Sequence, residues 1–282
     1  AFQALKQKCH TVIVTSGTLS PMDSFASELE TNFATQLEGS HVIEPEKQVL
    51  VHSVAAGPNR IGLNFTFQSS QKPNVQDELG HTLLKYAQEI EFGILVFFPS
   101  YSLMSHVISR WKQTGLWDSF AKHKEVVVEP KSKDIDFDEL IERYYKAISK
   151  YEKEQLQSTK QSTGGITGGL LFAVCRGKIS EGIDFADNRA RLVVCVGIPF
   201  PNVNDLQIKT KKQYNSNRSR SNRAMLNGDT WYTHQAFRAL NQAIGRCIRH
   251  KSDYGAIVLL DDRYSQQSNL KMLSKWVRGH VK

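Results

Sequence analysis

At 282 residues, with 40% hydrophobic and 23% charged side chains, the chain can hold one large domain or two small ones and has an ordinary globular balance. Its 36 Lys and Arg against 28 Asp and Glu leave a net charge of +8, which suits a polyanionic partner such as nucleic acid and also occurs on plain basic enzymes. No apolar run approaches the ~18 residues that cross a membrane, no leader pattern opens the chain, and the four cysteines form no CxxC pair; Cys175, Cys195 and Cys247 lie in apolar or helical runs, so buried free thiols in a reducing compartment are expected.

The chain opens on Ala1 and runs straight into a strand-like segment, so a piece of a longer protein is expected. His10 to Thr15 is β-branched and reads as that strand. Ser20 and Pro21 place a capping residue and then a proline at the first position of a short helix through Leu29. Val49 to Ala56 reads as a strand, closed by Gly57-Pro58. Leu79, Leu83, Tyr86 and Ile90 mark one face of a helix from Gln76 to Ile90. Gly93 to Phe98 is a continuous apolar run, as in a strand buried on both faces. A helix with Leu103, Met104, Val107, Ile108 and Trp111 follows, and then a strand at Val126 to Val128. Asp136 and Glu139 resemble a capping box before a helix with Leu140, Ile141, Tyr144 and Ile148.

Residues 153–169 are polar, glycine-rich and without period, and read as a flexible loop. Gly169 to Cys175 and Leu192 to Val196 are buried strands. Residues 201–230 hold six basic and two acidic side chains and look less regular. The basic run Lys209, Lys211, Lys212, Arg218, Arg220 and Arg223 reads either as a solvated face or as one turned to DNA. An amphipathic helix from Trp231 to Arg249, a strand from Gly255 to Leu260 and a closing helix with Leu270, Leu273, Trp276 and Val277 complete the chain. Apolar strands alternating with helices argue for an α/β domain, a mainly parallel sheet flanked by helices. In such sheets ligands bind beyond the carboxyl ends of the strands. Polar stretches follow strands directly at Ser100-Tyr101, at Arg176 to Asp184 and at Asp261-Asp262-Arg263.

Two stretches carry chemistry. Gln242, Arg246 and Arg249 are spaced by four and three residues, which on a helix puts one amide and two guanidinium groups on one face. Gly245 inside that helix costs about 1 kcal/mol relative to Ala, so a close approach to its backbone is expected. Arg176-Gly-Lys-Ile-Ser-Glu-Gly-Ile-Asp-Phe185 combines two glycines, two cations and two carboxylates beyond a buried strand. Its small residues would let backbone amides approach a phosphate; a structural strand-to-helix turn would look similar. No GxxxxGK[ST] loop and no Asp-Glu-x-His box is present. Paired arginines without a phosphate loop fit arginine fingers that complete a site on another domain. Trp111, Trp117 and Trp276 read as core, Tyr101 as packing or a contact, and His250 as a cation at a helix end.

Thr15-Ser-Gly-Thr-Leu-Ser-Pro21, Gly93-Ile-Leu-Val-Phe-Phe-Pro-Ser-Tyr101, Arg176 to Phe185 and Gln242-Ala-Ile-Gly-Arg-Cys-Ile-Arg249 resemble, in order, motifs III to VI of superfamily 2 DNA helicases. The subgroup is the iron–sulfur family typified by the xeroderma pigmentosum group D helicase. Gly115-Leu-Trp117, Ile198-Pro-Phe-Pro-Asn202 and Leu273-Ser-Lys-Trp-Val-Arg278 are most similar to its group J branch, with the telomere-length-regulating branch next. The resemblance implies a RecA-like three-layer domain. Residues 1–45 would be the end of a first motor domain plus connector, and 46–282 the second motor domain.

It also implies roles. Arg246 and Arg249, with Gln242 beside them, would reach the γ-phosphate of ATP held with Mg²⁺ mainly by the first domain. Glu181, Gly182 and Asp184 would line the nucleotide side. Ser100, Tyr101 and Arg176 would touch single-stranded DNA, and Thr18 would couple the motor halves. The family's 4Fe-4S cluster belongs to the first domain, so no metal is expected on this chain. Movement from 5′ to 3′, a nuclear place in DNA repair, repair proteins as partners and no membrane complete the expectation. The competing reading is a non-enzymatic nucleic-acid or protein-binding module of helicase-like shape.

Overall fold

The computed structural model describes the chain except residues 1, 18, 40, 132–136, 158–164, 181–182 and 223–224. In chain order its elements are α1 (Phe2–Lys8), α2 (Met22–Glu28), α3 (Pro45–Gln48), β1 (Val49–Val54), α4 (Pro73–Glu89), β2 (Ile94–Phe98), α5 (Tyr101–Gln113), α6 (Leu116–Ala121), β3 (Glu125–Val128), α7 (Phe137–Gln157), β4 (Gly169–Val174), β5 (Leu192–Val196), α8 (Leu206–Ser221), α9 (Gly228–Ile244), β6 (Gly255–Leu260), α10 (Gln267–Leu270) and α11 (Lys275–Arg278).

The strands form one sheet in the order β1-β6-β5-β2-β4-β3, and every neighbouring pair is parallel. Strands β2, β4 and β5 are buried at every residue, which is why they are apolar throughout instead of alternating. Side chains still alternate between faces. Leu95 and Phe97 pack with Phe237, Leu240 and Ile244 of α9 and Ile141, Tyr144 and Ile148 of α7. Ile94, Val96 and Phe98 pack with Leu79 and Leu83 of α4 and Leu103, Val107 and Trp111 of α5. Helices therefore cover both faces, giving the expected three layers. Among the described residues no helix is long and apolar enough to cross a membrane.

Several elements depart from the sequence reading. His10 to Thr15 is not a strand; Ile13 is 84% exposed, and among the described residues no neighbour supplies the ladder a strand needs. The unforeseen α1 buries none of its residues and is attached through Gln3 Nε2, which donates to Leu29 O at 3.2 Å and Glu30 O at 2.8 Å. Pro21 stands at the N-cap of α2, so Ser20 lies outside the cap position. Helix α7 continues to Gln157, into the expected loop, because Tyr151 is buried and its hydroxyl donates to Glu91 at 2.6 Å. Residues 158–164 of that loop, and Asp136 of the expected capping box, lie outside the described residues.

The stretch expected to be irregular holds the sixteen-residue α8. Its few apolar side chains, Leu206, Ile208 and Tyr214, do not fall on one buried face, so no apolar period announces it. It starts where the Asp205 carboxylate accepts the Gln207 and Ile208 amides, and it buries Asn215. Helix α9 stops at Ile244, with Gly245 at its C-cap, and the single closing helix is two short ones.

Candidate functional site

Beyond α9 the chain turns inward again. Cys247 and Ile248 are buried, and this pins the backbone between two arginines that would otherwise be free to diverge. Arg246 donates to Ile183 O at 2.9 Å and to Ser180 O. Arg249 donates to the same Ile183 carbonyl at 3.1 Å, and its Nε lies 3.0 Å from Asp184 Oδ1. Two guanidinium groups from the segment between α9 and β6 thus converge on one carbonyl oxygen in the loop between β4 and β5. They are not carried on one helical face as expected: only Gln242 is on α9, and its side chain has no hydrogen-bond partner among the described residues. A Cβ on Gly245 would meet only Asn241 O at 3.3 Å and Gln242 O at 3.5 Å, both from the preceding turn. The expected close approach to Gly245 is therefore not found.

Asp253 lies behind Arg249 and is fully buried. Its carboxylate accepts the Arg249 amide at 3.1 Å, the Tyr254 amide at 2.9 Å and Arg191 Nη1 at 2.8 Å. The Arg191 guanidinium is stacked 3.9 Å from the Tyr254 ring centroid. His250 does not end a helix; its Nε2 lies 2.9 Å from Asp187 Oδ1, so its partner is a carboxylate instead of a helix dipole. Asp187, His250 and Asp253 each place a ligand atom within 4.8 Å of the others. Both Asp253 oxygens accept hydrogen bonds from the chain, so these residues form a hydrogen-bonded brace behind Arg249.

The Arg176 to Asp184 loop also differs from expectation. Arg176 Nη1 donates to Pro199 O at 2.9 Å and Nη2 to Gln235 O at 2.5 Å, and burial pushes its pKa down. It ties the exit of β5 to α9. A Cβ on Gly177 would lie 2.4 Å from Glu129 Oε1. Glu129, 2% exposed, accepts the Val174 amide at 2.8 Å, the Ile179 amide at 3.4 Å and the Tyr101 hydroxyl at 3.0 Å. The glycine expected to admit a phosphate admits a carboxylate of the chain itself. Burial and Glu129 both push the Tyr101 phenol pKa up. Ser100 caps α5 by accepting the Leu103 amide at 3.2 Å.

Ser100, Tyr101 and Arg176 thus follow the neighbouring strands β2 and β4, and Glu129 joins Tyr101 to the β4 loop. Arg246 and Arg249, from the segment after α9, form a second group with Asp184 of the β4 loop. Thr18, Glu181 and Gly182 lie outside the described residues. Asp261, also fully buried, is occupied by Arg263 and by the Phe65 amide, and is structural.

A further connection reaches α9 from α2. Glu28 Oε1 accepts Trp231 Nε1 at 3.0 Å and Gln235 Nε2 at 2.7 Å, with Arg238 at 3.4 Å. The segment following the expected motif III is thereby fastened to the helix that delivers the arginines. Glu129, Asp253, Arg191 and Glu28 were all missed in the sequence. Glu129 alone had a signal, a carboxylate directly after the Val126–Val128 strand. Cys175 and Cys247 are fully buried thiols whose pKa is pushed up to about 12 by desolvation.

The family described as helicase C-terminal domain matches residues 83–280. The chain is 49% identical over 275 residues to the Fanconi anemia group J protein homolog of Gallus gallus, covering 96% of this chain and 21% of that protein. It is 40% identical over 280 residues to the regulator of telomere elongation helicase 1 homolog of Drosophila melanogaster, covering 99% of this chain and 27% of that one. The chain therefore spans about a quarter of the length of these curated relatives. A solved structure titled XPD helicase superposes with a TM-score of 0.61 at 23% identity, over 96% of this chain and 42% of the other.

Proposed function

We propose, given that this chain belongs to the helicase C-terminal domain family, among the superfamily 2 helicases related to the xeroderma pigmentosum group D enzyme, that it is the second motor domain of an ATP-dependent 5′-to-3′ DNA helicase. DNA repair in the nucleus is the proposed setting. The observation that supports a motor role is the convergence of Arg246 and Arg249 on Ile183 O at 2.9 and 3.1 Å. Two guanidinium groups fixed on one loop carbonyl suit an anion supplied from across a cleft.

In this reading ATP and Mg²⁺ are held mainly by the first motor domain, with residues 1–45 as its end and connector and 46–282 as the second domain. The bound nucleotide supplies the γ-phosphoryl group. Arg246 and Arg249 supply charge stabilisation to it, with Gln242 alongside and Asp184 orienting Arg249. Ser100, Tyr101 and Arg176 lie on the single-stranded DNA side, where Arg176 retains donors beyond the two it spends on carbonyls. A 4Fe-4S cluster, where the longer protein has one, is seated outside this chain.

The test uses the full-length protein. Arg246→Ala and Arg249→Ala should each lower kcat for DNA-stimulated ATP hydrolysis by about 10³-fold while DNA affinity changes little. Normal hydrolysis in both variants would remove the finger assignment, and absence of DNA-stimulated hydrolysis in the unaltered full-length protein would favour the non-enzymatic nucleic-acid or protein-binding module. The isolated chain should show negligible ATPase activity, and robust turnover by it would contradict the division of labour.

A further inference from the structure

We propose that the outward face of α8 is a docking surface for an acidic segment of a partner protein that presents an apolar side chain. Five cations and no carboxylate fall within Leu206–Ser221. At 3.6 residues per turn, Leu206, Thr210, Gln213 and Asn217 run along one line, with Tyr214 beside them. Lys209 and Arg220 flank this line on one side, Lys211 and Arg218 on the other. The opposite face holds Ile208 and the buried Asn215.

Two observations show what this face is suited to. It is incompletely neutralised: Lys212 pairs with Asp229 at 2.7 Å and Arg218 lies 3.8 Å from Glu30, but Lys209, Lys211 and Arg220 have no acidic partner among the described residues. It is also apolar at its centre. Leu206 is 78% exposed, Val203 50% and Tyr214 44%, and Leu206, Gln207, Thr210, Lys211 and Tyr214 line a shallow depression of about 420 Å³. An exposed leucine between two cation rows gives a phosphate backbone nothing to bind, whereas an acidic peptide can use both. The chain already places a carboxylate there: Glu30 sits 3.4 Å from the Tyr214 hydroxyl as well as beside Arg218.

The probe is a short fluorescein-labelled peptide of Glu and Asp with Leu and Phe one helical turn apart. A matched peptide with Ser at both positions and an oligo(dT) strand serve as comparisons. Anisotropy is read on this chain and on the full-length protein. The apolar-acidic peptide should bind both. Leu206→Ser and the combined Lys209→Glu, Lys211→Glu, Arg220→Glu variant should each weaken it about tenfold, and the Ser-matched peptide should bind about tenfold less tightly. Unchanged circular dichroism and urea midpoint show that the exposed substitutions leave the fold intact. The proposal falls if the peptide does not bind, or if neither variant weakens it. It falls equally if the variants lose oligo(dT) in place of the peptide, which would make α8 a nucleic-acid surface. Binding to this chain but not to the full-length protein would also overturn it, because the face would then be covered by the rest of that protein.

Discussion

The Nε of Arg249 lies 3.0 Å from Asp184 Oδ1, and the same guanidinium donates to the carbonyl of the residue before Asp184. The Asp184 carboxylate is 70% exposed and the arginine side chain 29%, so the pair stabilises the fold little. Its value is in orientation. If Asp184 only aims Arg249, then in the full-length protein Asp184→Asn should cost roughly ten- to a hundredfold in kcat. The double variant with Arg249→Ala should then be no slower than Arg249→Ala alone. Losses that multiply in DNA-stimulated ATP turnover would show that the two residues act separately.

Glu129 supports a different prediction. Its carboxylate satisfies two backbone amides and the Tyr101 hydroxyl from a position 2% exposed. In Glu129→Gln one carbonyl oxygen must do the work of two, and an NH₂ group faces a donor. Chemical denaturation should register a loss of about 1 to 3 kcal/mol. Tyr101→Phe removes one donor and leaves both amides paired, so its loss should be the smaller. A Tyr101→Phe loss equal to that of Glu129→Gln would show that the hydroxyl, not the amide pair, holds the β4 loop.

The contrast between β2 and α8 shows why the fold was mostly legible and the site only partly so. A five-residue apolar run between polar turns has one stable home, the middle of a covered parallel sheet, and β2, β4, β5 and β6 were all found that way. Helix α8 carries its information in an Asp205 cap and one buried Asn215, which no hydrophobic period reveals. Arg246 and Arg249 were found as a pair from their spacing. The spacing misled about geometry, because Gly245 ends the helix and the buried Cys247 and Ile248 redirect the chain. Gly177 was one of two loop glycines read as room for a phosphate, but what it makes room for is Glu129, 48 residues earlier in the chain, and no local pattern connects the two.

Lys124 makes stability depend on pH. It is 1% exposed, its Nζ donates to Phe92 O and Thr167 O at 3.1 Å each, and burial lowers its pKa from 10.5 to about 7. Between those two values the unfolded chain keeps a proton that the folded chain has released, so stability rises with pH across that window. Below about 7 both states hold the proton and this group contributes no further slope. Urea midpoints taken near pH 7 and near pH 9.5 should therefore rise for the natural chain relative to Lys124→Met. A constant difference between the two proteins over that range would show that Lys124 stays charged in the fold.

Asp253 and Arg191 test whether the brace behind Arg249 is structural or functional. Their side chains are 0% and 10% exposed and 2.8 Å apart. Removing one partner leaves a buried charge, which costs about 3 to 5 kcal/mol. Asp253→Ala should therefore lower the urea midpoint sharply, and so should Arg191→Ala, whereas the Asp253→Ala, Arg191→Met pair should cost less than the sum. The isosteric Asp253→Asn separates the two roles. It keeps one oxygen for the Arg249 amide, which Asp253 holds at 3.1 Å, while the charge opposite Arg191 is lost. If the carboxylate acts through the Arg249 backbone, the asparagine variant should lose stability but retain most of its kcat in the full-length protein, and the alanine variant should lose both. Equal kcat losses in the two variants, measured where both remain folded, would instead tie ATP turnover to the Arg191 ion pair.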